Sequence, residues 1–397
     1  MPELEEFAEA LIGQLSVELN EEKEIAGLAD KIAEDNNFTL KFDPIEQIAE
    51  KLLPELKQKA SEFLGITVSD NIKLQFPGLK DFKLLKGKKV FCVDDVRNYV
   101  DELFNAVANE DLKKIAELIK QDTAKFLVYS TYAKMYISQI STTYGDYLDN
   151  TVYLNKFILS SYPQIIVYKQ GEPYEPKFDS TNSGYLGALK MTILEELIHS
   201  TQENLQEINK EAVIQVNSVN EELAKIILAL DDKTAGELSE YLQLQTVPDD
   251  FPLAKRANIF FMLNPDHFII EQLGPDVMTY THVDIDPKIS ELVPELLDIY
   301  KKWLKPIQAH HAAFTTMEGM AEFSIQNILA EDKDFQNYLQ TFMGTDFTSY
   351  QVRKSMGKDF TQFVFVKLGQ NTFKTLIKNP PTTNELKNPQ IYLKRME

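Results

Sequence analysis

Apolar residues recur every three or four positions along most of the chain, which is the spacing of an amphipathic helix. This pattern predicts one or two helices within residues 1–35, a helix that ends at Gly65 and further helices across residues 94–142. A glycine favours the end of a helix because it adopts the left-handed backbone conformation at little cost. The first third of the chain is therefore predicted to be mainly helical.

The second half of the chain continues this helical pattern. A helix is predicted to begin near Tyr185 and to continue past Ile208, and the chain then reads as mostly helical to residue 335. Three stretches that contain proline interrupt this region, because proline ends or kinks a helix. Residues 378–397 are rich in proline and predict an extended C-terminal tail.

Short segments with the two-residue period of a β-strand are fewer. Residues 71–76 alternate between polar and apolar side chains and are followed by Pro77-Gly78, which predicts a strand and a turn. Residues 88–93 and 150–159 are two further candidates, and the latter is rich in Val, Tyr and Ile. The predicted class is α+β, with a small sheet and much more helix.

Composition narrows the possible functions. The chain has 397 residues, is 44% hydrophobic and carries a net charge of −20, so two or three domains with sizeable cores are expected. Strong acidity argues against nucleic acid and anionic membranes as partners, since both are repelled. No run of about 18 apolar residues occurs, so no membrane insertion is predicted.

The N-terminus and the cysteine content bear on the compartment. The first residues are acidic and lack the basic start and apolar core of a signal peptide. This favours a cytoplasmic location, and a leader removed from the chain is the alternative. Cys92 is the only cysteine, so the chain forms no intrachain disulfide and no cysteine-based zinc finger.

The stretch LEELIHSTQ, residues 194–202, places candidate metal ligands one helical turn apart. Glu195 and His199 are at positions i and i+4, so they share one helix face. Glu196 is offset from them by about 100°. Carboxylate oxygen and imidazole nitrogen both bind zinc. In a chain this rich in Glu, an ordinary acidic helix face is the alternative.

A second stretch, TTMEGMAEF at residues 315–323, carries another such pair. Glu318 and Glu322 are again at i and i+4 on a predicted helix. Gly319 lies between them, and a glycine there permits close packing against another helix.

Together the two stretches resemble those of the gluzincin metallopeptidases. In that family one helix carries H-E-x-x-H, and a later helix supplies a third ligand, often within E-G-x-A-E. The resemblance implies a zinc ion bound by Glu195, His199 and Glu318. It also implies that Glu196 is the general base that takes a proton from the attacking water.

The similarity extends to an uncharacterised prokaryotic group of zinc-peptidase-like proteins. EELIHSTQEN is similar to their H-E-x-x-H-A-x-Q-D-Q stretch, and residues 150–159 would match the edge strand that binds extended substrate. A C-terminal run also resembles theirs, with Glu385 one place late. Its matching residues are Tyr350, Gly357, Phe360, Pro380, Pro381, Thr382, Thr383, Glu385, Pro389 and Tyr392.

This resemblance implies a zincin-like fold: a small mixed sheet with a motif helix, followed by a mostly helical subdomain. The expected segments are residues 1–44, an N-terminal helical segment; 45–210, with the sheet and the motif helix; and 211–397, which supplies Glu318. Tyr350 is a candidate for stabilising an oxyanion if it faces the site, and a buried structural tyrosine is the alternative.

The site departs from the family pattern at its first ligand, where Glu195 replaces histidine. The substitution lowers the site's net positive charge and therefore acidifies a bound water less. An oxygen-rich ligand set also shifts preference from zinc toward Mn²⁺ or Fe²⁺. Three readings follow: a metal-dependent peptidase, an inactive zincin-fold protein whose cleft binds a peptide or protein partner, and a purely structural acidic protein. A site without metal, in which Glu195 pairs with another cation, is also possible.

Other polar residues are weaker candidates for the site. His310 and His311 lie on the helix that presents Glu318, and His311 is about 10.5 Å from Glu318 along the axis. Both are therefore interpreted as packing or helix-surface residues. Arg353 is a candidate partner for a site carboxylate.

Overall fold

The chain is described by a computed structural model, which is mostly helical with one small sheet. The residues it describes are 2–14, 20, 27, 44–78, 94–138, 144–156, 159, 178–247, 251–265, 283–341 and 349–397. Within these ranges, no helix combines the length and the apolar character that a membrane span requires. The strand predicted at residues 88–93 lies outside them.

Five helices occupy the first third of the described chain. They are α1 (Pro2–Gln14), α2 (Ile45–Leu64), α3 (Asp94–Ala108), α4 (Leu112–Gln121) and α5 (Thr123–Ser138). The predicted end of α2 is confirmed: Gly65 follows it with φ of 62°, and its backbone N–H donates to the carbonyl of Ser61. The helices predicted across residues 94–142 are also confirmed as far as Ser138.

Three strands form a mixed sheet in the order β1-β3-β2. They are β1 (Lys73–Gln75), β2 (Gly145–Leu148) and β3 (Thr151–Leu154). β3 pairs parallel with β1 and antiparallel with β2. Asp149 and Asn150 form the two-residue turn between β2 and β3, with φ of 49° and 58°. Asp and Asn tolerate this conformation, which matches the twist of a tight hairpin.

The strand predicted at residues 150–159 corresponds to β3, but its expected place at the sheet edge is wrong. β3 has β1 on one side and β2 on the other. Among the described residues, β1 and β2 are the two outer strands, and β2, which begins at Gly145, has no strong apolar alternation and was not predicted. Such a short polar strand is difficult to recognise from sequence, because its pairing through a hairpin turn is what defines it.

The motif helix is α6 (Phe178–His199), and α7 (Glu203–Ala229) follows it. The expectation of one helix continuing past Ile208 is therefore wrong. The hydroxyls of Ser200 and Thr201 donate to carbonyl oxygens one turn earlier, at 2.6 and 2.8 Å. These bonds satisfy carbonyls at the end of α6, so the chain turns without continuing the helical ladder.

Nine further helices complete the described chain. They are α8 (Asp232–Tyr241), α9 (Pro252–Leu263), α10 (Pro287–Leu292), α11 (Leu296–Ile328), α12 (Lys333–Thr341), α13 (Ser349–Leu368), α14 (Asn371–Lys378), α15 (Thr383–Lys387) and α16 (Pro389–Met396). α11, with 33 residues, is the longest of these helices, and its two halves pack against different sets of elements.

The prediction of an extended C-terminal tail is wrong, because α15 and α16 follow the prolines. Thr382 and Glu385 form a capping box that starts α15, in which each side chain satisfies a backbone N–H of the other residue. Pro389 occupies the first turn of α16, where its missing N–H costs no hydrogen bond. Tyr392 is fully buried and packs edge-on against Phe360.

Buried apolar residues form two clusters, and α11 contributes to both. The first cluster joins α1, α3 to α5, the second half of α7, α8 to α10 and the first half of α11, including Trp303. The second joins α2, the sheet, α6, the second half of α11 and α12 to α16. The candidate site lies on α6 and α11 in the second cluster. The division into segments at residues 44 and 210 stays a prediction.

Candidate metal centre

Glu195, His199 and Glu318 converge between α6 and α11, as the i, i+4 spacing and the resemblance to the gluzincins together predicted. Each residue offers one ligand atom, and these atoms all lie within 4.8 Å of one another. The three side chains are 15%, 12% and 11% exposed, so a small ion reaches them while most of each side chain is enclosed. The i, i+4 pair comes from one helix, and Glu318 is supplied by another.

Two glycines set the distance between α11 and α13 beside this centre. A Cβ on Gly319 would lie 2.0 Å from the carbonyl carbon of Gly357, and one on Gly357 would lie 2.0 Å from the carbonyl oxygen of Thr315. The two helices therefore cross in backbone contact, and the close packing predicted at Gly319 is confirmed. The crossing brings the side chain of Lys354, three residues before Gly357, to Glu318.

A hydrogen-bond chain fixes the orientation of the His199 ring. Gln202 donates through Nε2 to the carbonyl oxygen of Met317 at 3.1 Å, and its Oε1 lies 2.8 Å from His199 Nδ1. A carbonyl only accepts, so the amide nitrogen of Gln202 must face Met317 and its oxygen must face the ring. His199 Nδ1 therefore carries a proton, and Nε2 points at Glu318 Oε1, 3.6 Å away.

Because of this arrangement, His199 Nε2 needs a cation between itself and the carboxylate of Glu318. A neutral ring would direct its Nε2 lone pair at a carboxylate, so a proton or a metal ion is needed between them. Burial on its own lowers the pKa of His199, but the charges of Glu318, Glu196 and Glu195 raise it. The hydrogen bond to Gln202 adds to the increase, and the net pKa lies above the ordinary value.

Glu196 lies on the side of α6 that faces the sheet. It is 5% exposed. A Cβ on Gly145 would lie 3.4 Å from Glu196 Cγ and 2.5 Å from Thr192 Cγ2, so the glycine at the start of β2 makes room for this helix face. Glu196 is thus offset from the ligand face, as the motif spacing predicts, yet its charge still acts on His199.

Lys354, which the sequence reasoning missed, binds the carboxylates of the centre. Its Nζ donates a hydrogen bond to Glu195 Oε1 and lies 3.8 Å from Glu318 Oε2 and 3.7 Å from Glu322 Oε2. Glu195 is therefore paired with a cation from the chain itself, which is one of the alternatives that the sequence left open. No local pattern marks Lys354, because it is separated from Glu195 by 159 positions.

The other candidate residues occupy a neighbouring cluster. Arg353 Nη1 donates to His311 Nδ1 at 2.9 Å, and its guanidinium lies 4.9 Å from the centre of the Phe314 ring. His310 Nδ1 lies 2.7 Å from Asn209 Oδ1. These contacts agree with a packing role for both histidines. Tyr350 lies in the first turn of α13, and its side chain is outside the part of the chain that the structure describes.

Comparisons with protein-family models, with curated proteins and with solved structures found no match to this chain. The interpretation of the centre therefore depends on its own geometry.

The residues of the centre fit a divalent metal ion. Ligands at about 2.0–2.2 Å from an ion lie at most about 4.4 Å apart, so the 3.6 Å between His199 and Glu318 suits ligation directly. All three ligand atoms lie within 4.8 Å of one another, and a small inward rotation of a glutamate would bring that spread to ligand distances. Gln202 supplies the hydrogen bond to the remaining ring nitrogen that metal-binding histidines commonly make.

Proposed function

We propose that this chain is a metal-dependent, peptidase-like protein of the gluzincin type with a substituted first ligand. Glu195, His199 and Glu318 bind a divalent ion, with zinc as the first candidate and manganese or iron as alternatives. The observation that carries the proposal is the bond from His199 to Gln202, because it leaves Nε2 free to bind metal and aims it at Glu318. An ordinary acidic helix face needs no such orientation.

The chain's own groups supply the remaining chemistry. A bound divalent ion would polarise the carbonyl of a peptide substrate. Glu196 is the general base, because it lies beside the ligand face without being part of it. Its side chain is 5% exposed and packs against Gly145 at the start of β2.

A second function is favoured by the contact between Lys354 and Glu195. A fixed positive charge on the first ligand position opposes metal binding there, and a weakly held metal activates water poorly. The protein would then keep the fold and the cleft of a peptidase but only bind a peptide or protein partner. Metal content and hydrolysis distinguish the two functions.

Metal binding is tested on protein purified without chelator. Elemental analysis and calorimetric titration with Zn²⁺ and Mn²⁺ should give about one ion per chain, and Glu318→Gln should abolish the binding. Glu331→Gln is the matched control, since it removes the same charge at an exposed position after α11. Equal binding by both variants would place the metal elsewhere.

Hydrolysis is then tested on the metal-loaded protein with a broad peptide library. Cleavage that depends on the added metal supports the peptidase. Stoichiometric metal without any cleavage favours the non-catalytic protein, for which capture of uncleaved peptides from the same library is the direct readout.

A further inference from the structure

Lys354 is placed to act on the metal itself, beyond its pairing with Glu195. We propose that Lys354 is a built-in competitor: its ammonium group neutralises the ligand carboxylates in the metal-free protein and must leave Glu195 before a divalent ion binds. The inference rests on the metal-binding function proposed above. It makes Lys354 a residue that sets how tightly ions are bound.

The contacts of Lys354 show the overlap with the ligand set. Its Nζ touches Glu195 and lies 3.8 Å from Glu318, and both are proposed ligands. An ammonium group donates three hydrogen bonds and accepts none, so it satisfies carboxylates in the same way as a bound cation. A divalent ion on these oxygens would lie close to Nζ, and the two positive charges repel each other strongly where solvent is scarce.

The structure also gives Lys354 a carboxylate partner outside the ligand set. Glu322 lies one helical turn after Glu318, and its Oε2 is 3.7 Å from Nζ. Glu322 is not among the three converging ligands. A small rotation of the Lys354 side chain would exchange Glu195 for Glu322, so the ammonium remains paired with a carboxylate when metal enters. Lys354 therefore already lies within ion-pair distance of a carboxylate outside the ligand set.

Helix packing holds the lysine within reach of both partners. Its side chain is 12% exposed, and the Gly319–Gly357 crossing prevents α13 from moving away from α11 without loss of backbone contact. The competition is therefore local to the side chain. Ions that bind nitrogen and oxygen ligands tightly, such as Zn²⁺, would displace Lys354 more readily than weaker binders such as Mn²⁺.

Calorimetric titration of Lys354→Met with Zn²⁺ and with Mn²⁺ tests the competition. Affinity should rise by about tenfold or more for both ions, within the range typical of coupling between neighbouring groups. Lys358→Met is the matched control, because Lys358 lies one turn further along α13 and the variant loses the same charge. Its affinity should stay within about twofold of wild type.

Glu322→Gln tests the carboxylate partner outside the ligand set. Loss of this carboxylate should hold Lys354 on Glu195 and weaken metal binding, whereas the same change in the Lys354→Met background should have a much smaller effect. This double-mutant cycle separates the role of Lys354 from the general loss of a negative charge. Equal effects in both backgrounds would show that Glu322 does not receive the lysine.

The possible results distinguish the inference from the function on which it depends. If wild type binds metal and Lys354→Met binds it equally or less tightly, the competition is refuted and the metal site stands. If neither protein binds metal, the metal-binding function itself fails. Because Lys354→Met leaves enclosed carboxylates without their cation, Lys354→Gln provides a second uncharged variant with the same expectation, and circular dichroism verifies that each variant folds.

Discussion

Two clusters that both include residues of α11 and α13 hold histidines in opposite electrostatic surroundings. His199 of α6 lies in one cluster, and His310 and His311 of α11 lie in the other. At the metal centre, the carboxylates of Glu195, Glu196 and Glu318 raise the pKa of His199. In the other cluster, burial and the charge of Arg353 lower the pKa of His310 to about 3. Burial lowers the pKa in both places, so the sign of the neighbouring charges decides the outcome.

Two adjacent residues of α13 each supply a cation to one of the two clusters. Arg353 turns to His311, and Lys354 turns to Glu195 and Glu318. Arg353 adds a positive charge beside neutral histidine rings, so that cluster repels a metal ion. Lys354 adds a positive charge beside several carboxylates, and that cluster still attracts a metal ion. The comparison explains why only one of two histidine clusters is a candidate metal centre.

The largest expected effect concerns the proposed hydrolysis, in which Glu196 beside the candidate metal centre is the general base. Glu196→Gln keeps the size of the side chain but removes the general base, so metal-dependent hydrolysis should fall by about 10²–10⁴-fold. Metal content, measured by elemental analysis, should not change. His310→Gln, in the other cluster, serves as the control and should retain activity. Undiminished cleavage by Glu196→Gln would remove Glu196 from the mechanism.

The next effect should disrupt both clusters together, because both depend on the crossing of α11 and α13. Gly319→Ala places a methyl group 2.0 Å from backbone atoms of Gly357, and overpacking of this kind costs about 1–3 kcal/mol or more. Thermal or urea unfolding should show this loss. Gly236→Ala is the control: it lies in α8 with no atom within 4 Å of the added Cβ. It should be neutral or slightly stabilising, and similar losses in both variants would mean that the crossing is not special.

Helical spacing, family resemblance and tertiary packing account for different residues of the centre. Glu318 was predicted only from the resemblance to the gluzincins, because no spacing links it to His199. Glu195 and His199 are linked by helical spacing alone, and Gly319 marks a close helix contact. Lys354 and Met317 reach the centre only through tertiary packing. Neither shows a local pattern that identifies its partner, so neither was predicted.

The fold shows the same division between local and tertiary signals. The end of α2 at Gly65 is a local signal, and its prediction is confirmed. The break after His199 depends on hydroxyl groups that bond to the preceding turn, and the apolar spacing continues across it. The C-terminal helices differ from the prediction because the several prolines of residues 378–397 favoured an extended chain, although proline also suits a first helical turn.

A smaller effect is expected from replacing Glu195 by histidine, the residue that the gluzincin motif has at the first ligand position. Glu195→His provides a second imidazole and removes the hydrogen-bond partner of Lys354, so zinc affinity should rise by about tenfold, equivalent to about 1.4 kcal/mol. Calorimetric titration measures the change. His311→Gln should leave zinc affinity unaltered, because that residue lies in the cluster around Arg353. Lower affinity in Glu195→His would mean that the natural glutamate is the better ligand here.

The smallest effect is a difference in pH dependence between the two clusters in metal-free protein. His199 has a raised pKa, so its contribution to stability is complete below about pH 6.5, the unfolded value. That contribution is lost as the pH rises through its folded pKa. His310 has a lowered pKa of about 3. Its contribution is therefore present above about pH 6.5 and is lost progressively as the pH falls, because the unfolded chain binds a proton that the folded chain does not.

Proton NMR titration of the histidine ring signals after chelator treatment tests this difference directly, with His199→Gln and His310→Gln assigning the signals. We expect the His199 signal to titrate above pH 6.5 and the His310 signal to remain neutral across the range in which the protein stays folded. Urea unfolding should agree. Removing His199 should reduce stability more at low pH than at high pH, and removing His310 should reduce stability more at high pH than at low pH. Titration of both rings near pH 6.5 would mean that neighbouring charges do not distinguish the clusters, and the electrostatic argument for a cation at Glu195, His199 and Glu318 would lose its basis.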